Sequence, residues 1–271
     1  MAVTPDTDEL EPARADRVRI LQFTDCHILA RPGERLRGVD TRRSLEAVMT
    51  AALGEYGRPD LLLATGDLAE DGSAEAYRYL AARFDDAGIP TFWLPGNHDE
   101  NAVMHAQLTG GPIRAAREVL AGAWLILLLD STIEGEVRGR VGPAELDFMD
   151  SRLRRHANRH ALVCLHHQAM AAGSEWIDAK GLENAAELRE RLSRHDNVRA
   201  VLWGHVHQEA HHRRDGIEWM STPSTCVQFK PGSREFAIGE EAPGYRYLAL
   251  GAGGGIDTAV RRVPGAADQT L

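Results

Sequence analysis

Residues 92–99 read Phe-Trp-Leu-Pro-Gly-Asn-His-Asp, a short apolar run that ends in a cluster of polar side chains. The same pattern occurs at four other places, each directly after a strand-like run. These clusters are Asp25-Cys26-His27, Gly66-Asp67, His166-His167 and Gly204-His205-Val206-His207. Side chains at the carboxyl ends of strands open onto the face where α/β proteins place ligands. The sequence therefore predicts that the five clusters form one site.

The rest of the chain alternates strand patterns with helix patterns before a β-rich end. Apolar runs predict strands at residues 18–23, 61–64, 91–94, 124–129, 161–165 and 198–203. Helical spacing predicts helices at residues 44–56, 74–87, 144–156 and 185–194. Asn184 and Glu187 predict a capping box at the start of the last helix. Gly and Pro turns predict short strands within residues 208–229 and 245–263.

Composition predicts the domain boundaries. Residues 1–16 are polar and acidic, which predicts a disordered arm, and residues 264–271 are expected to form a loose tail. Residues 17–263 contain no repeat and no linker, so we expect a single α/β domain. The chain of 271 residues is 43% hydrophobic, which allows a large core.

Charge and cysteine content argue against several classes of protein. A net charge of −9 disfavours non-specific binding to nucleic acid or to anionic membranes. No apolar run approaches the ~18 residues of a membrane span. Three cysteines argue against a disulfide framework, and the start of the chain lacks the pattern of a signal peptide. We therefore expect a cytoplasmic protein without a membrane or a nucleic-acid polymer as partner.

The side chains of the clusters are of the types that bind metal ions. Asp25 and His27 lie two residues apart at a strand end, so both can point the same way and chelate a cation. His205 and His207 repeat this spacing. A carboxylate such as that of Asp67 can bridge two cations, and an amide such as that of Asn97 adds a neutral oxygen ligand.

Each cluster alone also has a plain structural explanation as a helix cap, a polar turn or a pair of surface histidines. All five together favour a site for two metal ions. Backbone alternation lets only one of His166 and His167 face the site, and we choose His166. One ion is then expected on Asp25, His27, Asp67 and His207, and the other on Asp67, Asn97, His166 and His205.

The donor set also indicates which metals to expect. Nitrogen and oxygen donors without a thiolate favour iron, manganese or zinc over magnesium or calcium, and iron and manganese are expected first. His98 remains unligated beside the ions, which makes it a candidate proton donor or phosphate contact. Asp99 is expected either to hold His98 or to cap the following helix.

The five clusters resemble the D-x-H, GD, GNH(D/E), H and GHxH motifs of the calcineurin-like metallophosphoesterase superfamily, over roughly residues 18–250. Residues 176–188, 203–209, 223–231 and 242–246 resemble bacterial class III 3′,5′-cyclic-AMP phosphodiesterases. The chain departs from many relatives at Gln168-Ala169, where they have two prolines. The resemblance supports His166 over His167.

The resemblance implies a four-layer αββα sandwich, in which two mixed β-sheets are flanked by helices. It also implies hydrolysis of 3′,5′-cyclic AMP to 5′-AMP by a hydroxide that bridges the two ions, with His98 as the catalytic residue. The expected partner is a small cyclic nucleotide. The residues expected to contact this nucleotide are His27, Asp67, Asn97, His98 and His207.

Several alternatives remain open at this point. A phosphodiesterase of broader specificity would act on glycerophosphodiesters or 2′,3′-cyclic nucleotides. The complete ligand set argues against a non-catalytic binding module, and the acidic charge argues against a nuclease. Trp176, Phe229 and Tyr245 either stack on a base or pack within the fold. The sequence leaves open whether the protein is a monomer or a homodimer.

Overall fold

The computed structural model describes residues 7–267, which form two mixed β-sheets packed face to face with helices on both outer surfaces. The strands are β1 (Thr7–Leu10), β2 (Arg17–Phe23), β3 (Arg35–Leu36), β4 (Val39–Asp40), β5 (Leu61–Thr65), β6 (Thr91–Leu94), β7 (Ile113–Arg114), β8 (Glu118–Ala121), β9 (Trp124–Leu128), β10 (His160–Cys164), β11 (Val198–Trp203), β12 (Ala210–Arg214), β13 (Ile217–Ser221), β14 (Gly244–Gly251) and β15 (Ile256–Arg262). The helices are α1 (Thr41–Tyr56), α2 (Ala74–Ala87), α3 (Asn101–Gln107), α4 (Pro143–Arg155), α5 (Glu175–Asp178) and α6 (Ala185–Leu192).

The strand order places the predicted clusters at neighbouring positions. One sheet has six strands in the order β15-β14-β2-β5-β6-β7, and the other has seven in the order β1-β8-β9-β10-β11-β13-β12. Strands β2, β5 and β6 run parallel in the first sheet, as do β9, β10 and β11 in the second. Because parallel strands end at the same edge, the loops that follow them lie side by side.

Side-chain alternation along the strands creates the four layers. In β2, Leu21 and Phe23 pack under helices α1 and α2, whereas Val18 and Ile20 face the second sheet. The second sheet shows the same division, since Ile126 lies between the sheets and its neighbours pack against α4 and α6. The predicted four-layer αββα sandwich of two mixed sheets is confirmed.

Most of the predicted helices and strands have the bounds expected within a few residues, and local chemistry explains the helix ends. The side chain of Asp40 accepts a hydrogen bond from the backbone of Arg43 at the start of α1. Gly88 ends α2 in the left-handed conformation, with φ 62°. The predicted capping box of α6 is wrong, because the side chain of Asn184 makes no bond to the helix backbone. It pairs instead with the backbone of Val141, in the loop before α4, and donates to the carboxylate of Glu187 at 3.1 Å.

The predicted disordered arm is wrong where the structure describes it. Thr7–Leu10 forms an edge strand parallel to β8, and the hydroxyl of Thr7 donates to the carboxylate of Glu118 at 2.9 Å. Backbone ladder bonds stabilise this polar strand, which needs no apolar pattern. Residues 1–6, and residues 268–271 of the predicted tail, lie outside the described part.

Two further observations complete the fold. The short strands predicted within residues 208–229 and 245–263 are confirmed as β12 and β13, and as β14 and β15. Within residues 7–267, no helix has the length and apolar character needed to cross a lipid bilayer.

Candidate metal centre

The five clusters converge at one edge of the sandwich. They follow β2, β5, β6, β10 and β11, and so come from both sheets. Groups of potential ligand atoms lie within 4.8 Å of one another. The groups are Asp25, His27 and His207; Asp25, Asp67 and His166; His27, Asp67 and His98; and His166, His167 and His205.

The backbone of the ligand loops is unusual. Five of the predicted ligands have positive φ angles, namely Asp25 (51°), His27 (45°), Asp67 (49°), His205 (64°) and His207 (49°). Non-glycine residues rarely adopt this conformation, and such strain is concentrated at functional sites. The prediction that strand alternation points Asp25 and His27 the same way is therefore wrong. Both side chains reach the site from a left-handed loop after the strand, and not by alternation within it.

Hydrogen bonds between the loops hold this strained backbone in place. The carboxylate of Asp25 accepts from the backbone N–H of His205 at 3.0 and 3.1 Å. Asp67 Oδ1 accepts from the backbone of His98 at 2.9 Å. The backbone N–H of Gly204 donates to the carbonyl of His166 at 3.2 Å. Each of these bonds joins two clusters, so the ligand positions depend on one another.

The glycines of the motifs provide space for ligands from other clusters. A Cβ atom on Gly66 would lie 2.3 Å from His166 Nδ1, and one on Gly96 would lie 2.2 Å from Asp67 Oδ1. A Cβ on Gly204 would lie 2.5 Å from Asp25 Oδ2. All three positions exclude any larger residue.

His27 and His207 present unprotonated nitrogens to each other. Nδ1 of His27 lies 2.6 Å from the carboxylate of Glu70, and Nδ1 of His207 lies 2.6 Å from the carbonyl of Val227. Both partners can only accept, so each Nδ1 carries the ring proton. When both rings are neutral, the two Nε2 atoms are therefore lone-pair acceptors, and they lie 3.2 Å apart. Positive charge beside them, either a second proton on one ring or a bound metal ion, stabilises this arrangement.

His166 and His205 follow the same rule. Nδ1 of His166 donates to the carbonyl of Thr65 at 3.0 Å, which leaves its Nε2 as an acceptor 3.3 Å from Asp67 Oδ2. Nε2 of His205 donates to the carbonyl of Lys180 at 3.2 Å, which leaves its Nδ1 as an acceptor. Outer hydrogen bonds of this kind orient metal-binding imidazoles.

Two buried atoms of the predicted set have no hydrogen-bond partner among the described residues. They are Nε2 of His166 and Oδ1 of Asn97. Buried polar atoms rarely remain unpaired, so such orphans call for an explanation. Asn97 Oδ1 is an acceptor, as is Nε2 of His166 when that ring is neutral, and a divalent cation would satisfy both. The residues at this edge of the sandwich therefore fit a metal centre.

The electrostatics of the site also favour bound cations. Burial raises the pKa of Asp67, but the imidazole of His166 outweighs this effect and lowers that pKa well below its usual range. Burial lowers the pKa of His166, but Asp67 and then Asp25 outweigh it and raise that pKa to about 9. Burial and the neighbouring imidazoles lower the pKa of His205. The carboxylates thus favour positive charge in the cluster, which the raised pKa of His166 reflects. The lowered pKa of His205 shows that the rings do not all take up protons together.

Strand alternation predicted that His167 points away from the site. His167 is instead buried beside it. Its ring centroid lies 4.7 Å from that of His205. Nε2 lies 3.2 Å from the carbonyl of Val137, and Nδ1 lies 2.9 Å from the hydroxyl of Ser131. Since the carbonyl only accepts, Nε2 donates to it and Nδ1 accepts from Ser131. Both nitrogens are occupied, whereas Nε2 of His166 is free.

His98 lies at the opening of the site, and its side chain is 37% exposed. Its ring stands edge-on to that of His27, with centroids 4.9 Å apart. Nδ1 donates to the carbonyl of Glu70 at 3.2 Å, which leaves Nε2 unengaged. Sequence reasoning missed Glu70, whose carboxylate lies 3.4 Å from this Nδ1 and also holds His27.

Neither role expected for Asp99 is found. Its carboxylate accepts from the backbone N–H groups of Leu68, Ala69 and Gly96, and from the hydroxyl of Tyr77. Asp99 therefore ties the Gly66-Asp67 loop to the following cluster. Burial, and then the charge of Asp67, raise the pKa of Asp99 to about 6.

A pocket of about 180 Å³ lies next to the ligands. It is lined by six of the predicted site residues and by a set of apolar side chains that includes Trp176, Phe229 and Phe236. Tyr245 is absent from this lining, because it is buried under α1 with its hydroxyl bonded to Glu55. Sequence reasoning missed Phe236, which no motif marks.

Comparison with known proteins identifies the family. The calcineurin-like phosphoesterase family model matches residues 18–209, and the chain belongs to this family. The chain is similar to 3′,5′-cyclic adenosine monophosphate phosphodiesterase CpdA of Escherichia coli (strain K12), with 42% identity over 248 residues that cover 91% of this chain and 90% of the relative. It is also similar to 3′,5′-cyclic-nucleotide phosphodiesterase alr5338 of Nostoc, with 40% identity over 249 residues that cover 91% of this chain and 93% of the relative.

A solved structure supports the fold independently. The dimetal phosphatase of Danio rerio superimposes with a TM-score of 0.63 at 14% identity, and the match covers 92% of this chain and 99% of that one. At this identity the likeness concerns the fold alone. The resemblance that was predicted from the motifs is confirmed.

Proposed function

We propose that the protein is a dinuclear metal-dependent phosphodiesterase that hydrolyses 3′,5′-cyclic AMP to 5′-AMP. One observation carries the metal part of this proposal, namely the convergence of imidazoles and carboxylates around two buried atoms, Nε2 of His166 and Oδ1 of Asn97, that lack a hydrogen-bond partner among the described residues. The proposed ligands of one ion are Asp25, His27, Asp67 and His207. Those of the other ion are Asp67, Asn97, His166 and His205.

The chemistry of the donors supports iron or manganese. Only imidazole, carboxylate and amide donors face the centre, whereas the thiol of Cys26 is buried in the core under α1. Two bound divalent ions would supply a water nucleophile near neutral pH and positive charge for the phosphate oxygens. We propose a cytoplasmic location, which suits three free and buried cysteines.

The protein residues position these groups and the substrate. Asp67 is proposed as the shared ligand, because its carboxylate lies near both His27 and His166, at 3.7 and 3.3 Å. His98 remains outside the ligand set and lines the pocket. In the imidazolium form of His98 the unengaged Nε2 also carries a proton, and it can therefore contact a phosphate oxygen and give this proton to the leaving 3′ oxygen, which leaves the ring neutral. His27, Asp67, Asn97, His98 and His207 are the proposed contacts of the nucleotide phosphate.

The substrate assignment is supported by the relatives. The similar proteins of E. coli and Nostoc carry names that state cyclic-AMP or cyclic-nucleotide phosphodiesterase activity. The similarity extends over nine-tenths of this chain, and so includes the parts that surround the pocket. The pocket accommodates a small ligand and has no basic stripe suited to a polymer.

The test is turnover by metal-stripped protein that is reloaded separately with Mn, Fe, Zn and Mg. The substrate panel contains 3′,5′-cyclic AMP, other 3′,5′-cyclic nucleotides, 2′,3′-cyclic AMP and glycerophosphodiesters. We expect hydrolysis to return only with metal, and 3′,5′-cyclic AMP to be among the best substrates. Preference for the open diesters would instead establish the broader phosphodiesterase.

His98 requires a separate variant. His98→Ala should lower kcat by about 10²–10⁴, the usual effect of general acid catalysis, while both metals remain bound. Loss of metal from this variant would assign His98 to the metal centre instead.

A further inference from the structure

The lining of the active-site pocket falls into two chemically different parts. One part contains His27, His98 and the other polar residues of the metal centre. The other contains Trp176, Phe229 and Phe236. A nucleotide has the same division, with an anionic phosphate at one end and a flat base with apolar faces at the other. The aromatic part is therefore the complement of the base.

The three aromatic residues do not have equal roles. Phe229 stacks on the imidazole of His207, with ring centroids 3.9 Å apart and planes inclined by 10°. One face of Phe229 is thus already covered by a proposed metal ligand, and its ring supports His207. By contrast, Phe236 is 47% exposed and also lines the pocket. Phe236 is therefore the most exposed of the three rings and the one most open to a ligand.

Trp176 joins Phe229 to Phe236. Its ring meets both edge-on, with centroid distances of 5.0 and 5.1 Å. Its indole Nε1 is buried and has no hydrogen-bond partner among the described residues. This nitrogen is closed to solvent, so Trp176 offers a base the apolar surface of its ring.

The segment that carries Phe236 is held against the pocket by several contacts. The guanidinium of Arg37 lies 5.3 Å from the centroid of the Phe236 ring. The backbone of Gly232 donates to Ser174 Oγ at 2.9 Å, and Arg234 pairs with Glu175 at 3.0 Å. These contacts tie the segment to α5, the helix that contains Trp176. The two aromatic side chains thus form one preorganised surface.

Gln168 fixes the position of α5 from the other side. Its side-chain Nε2 donates to the carbonyl of Ile177 at 2.8 Å, and its backbone carbonyl accepts from the backbone N–H of Leu182 at 3.2 Å. Gln168 therefore positions the helix that carries Trp176.

We infer that Phe236 and Trp176 bind the base of the nucleotide and determine its affinity, and that Phe229 instead positions His207. This inference rests on the proposed function, since it names the part of the substrate that the aromatic surface recognises. Stacking of a base on an aromatic side chain changes affinity by roughly 10- to 100-fold.

The test compares two ligands that differ only in the base, 5′-AMP and ribose 5-phosphate. Their binding to the manganese-loaded protein is measured by calorimetry, which needs no turnover. We expect Phe236→Ala to lower the affinity for 5′-AMP about 10-fold or more and to leave the affinity for ribose 5-phosphate unchanged. Phe236→Leu, which keeps apolar volume but no ring, should also weaken 5′-AMP. Ile238→Ala is the matched control, because Ile238 is 42% exposed nearby but does not line the pocket.

The outcomes separate the inference from the proposed function. Equal affinity of the wild-type protein for the two ligands, or equal weakening of both by Phe236→Ala, would overturn the inference. A wild-type protein that binds 5′-AMP through Phe236 but does not hydrolyse cyclic AMP would overturn the proposed function alone. Circular dichroism of each variant establishes that the fold is retained.

Discussion

Replacing Gly96 by Ala probes the metal centre without altering any proposed ligand. The new Cβ would lie 2.2 Å from Asp67 Oδ1 and 2.3 Å from Asp67 N, whereas ordinary contact begins at 3.4 Å. Gly96 does not have a positive φ angle, so alanine suits the backbone and only space is at issue. The close contact includes a backbone atom, so side-chain rotation cannot relieve it. The loop of Asp67 must move by about 1 Å.

A displacement of about 1 Å in a catalytic group costs roughly 10²-fold in rate. Since Asp67 is the proposed shared ligand, we also expect Gly96→Ala to lose bound metal. The assay combines metal content by mass spectrometry with kcat/KM for cyclic AMP. Gly54→Ala is the matched control, because it lies in α1 with nothing within 4 Å of its added Cβ. The control should keep full activity and gain about 0.5–1 kcal/mol in stability.

The reasoning fails if Gly96→Ala retains both metals and a kcat/KM within a factor of about three of the wild type. That result would mean that the loop carrying Asp67 adapts to the added methyl group, so that its position is not set by close packing.

Three further predictions concern residues around the centre. Burial, and then the neighbouring imidazole, lower the pKa of His167 to about 3, so the unfolded chain takes up this proton more readily. The free energy of unfolding should therefore fall as the pH falls from about 6.5 towards 3. The urea midpoint of the metal-free His167→Asn variant should depend less on pH over this interval than that of the metal-free wild type. Glu118→Gln should lower the free energy of unfolding by about 1.5–3 kcal/mol, because it removes the buried charge that pairs with Arg152 at 3.1 Å and with His156 at 2.6 Å; urea denaturation checks this. Glu70→Gln should weaken metal affinity about 10-fold, measured by chelator competition, because it removes the charge that holds His27.

The clusters were predictable because each contains chemistry that is local in sequence. Strand β5 and the Asp67 that follows it are marked by an uninterrupted apolar run and a glycine, and both the strand and the loop lie where the pattern predicts. Parallel strands then bring separate clusters together at one edge, since topology determines where their ends lie. The αββα fold could be inferred through the resemblance as well as from the alternation of strands and helices.

The features that were missed depend on contacts between distant residues. Strand β1 has no apolar pattern and exists because β8 offers it an edge. Glu70 and Phe236 belong to no motif, and only the folded chain places them beside His98 and Trp176. The left-handed backbone of His27 contradicts the alternation from which its direction was inferred. Tertiary contacts and strain of this kind leave no periodic signal in the sequence.

Anomalous X-ray diffraction from crystals of the manganese-loaded protein tests the central claim most directly. We expect two manganese peaks in each chain, with the carboxylate of Asp67 bound to both. One peak should also contact His27 and His207, and the other His166 and Asn97. A single peak, or two peaks that do not share Asp67, would contradict the proposed dinuclear centre.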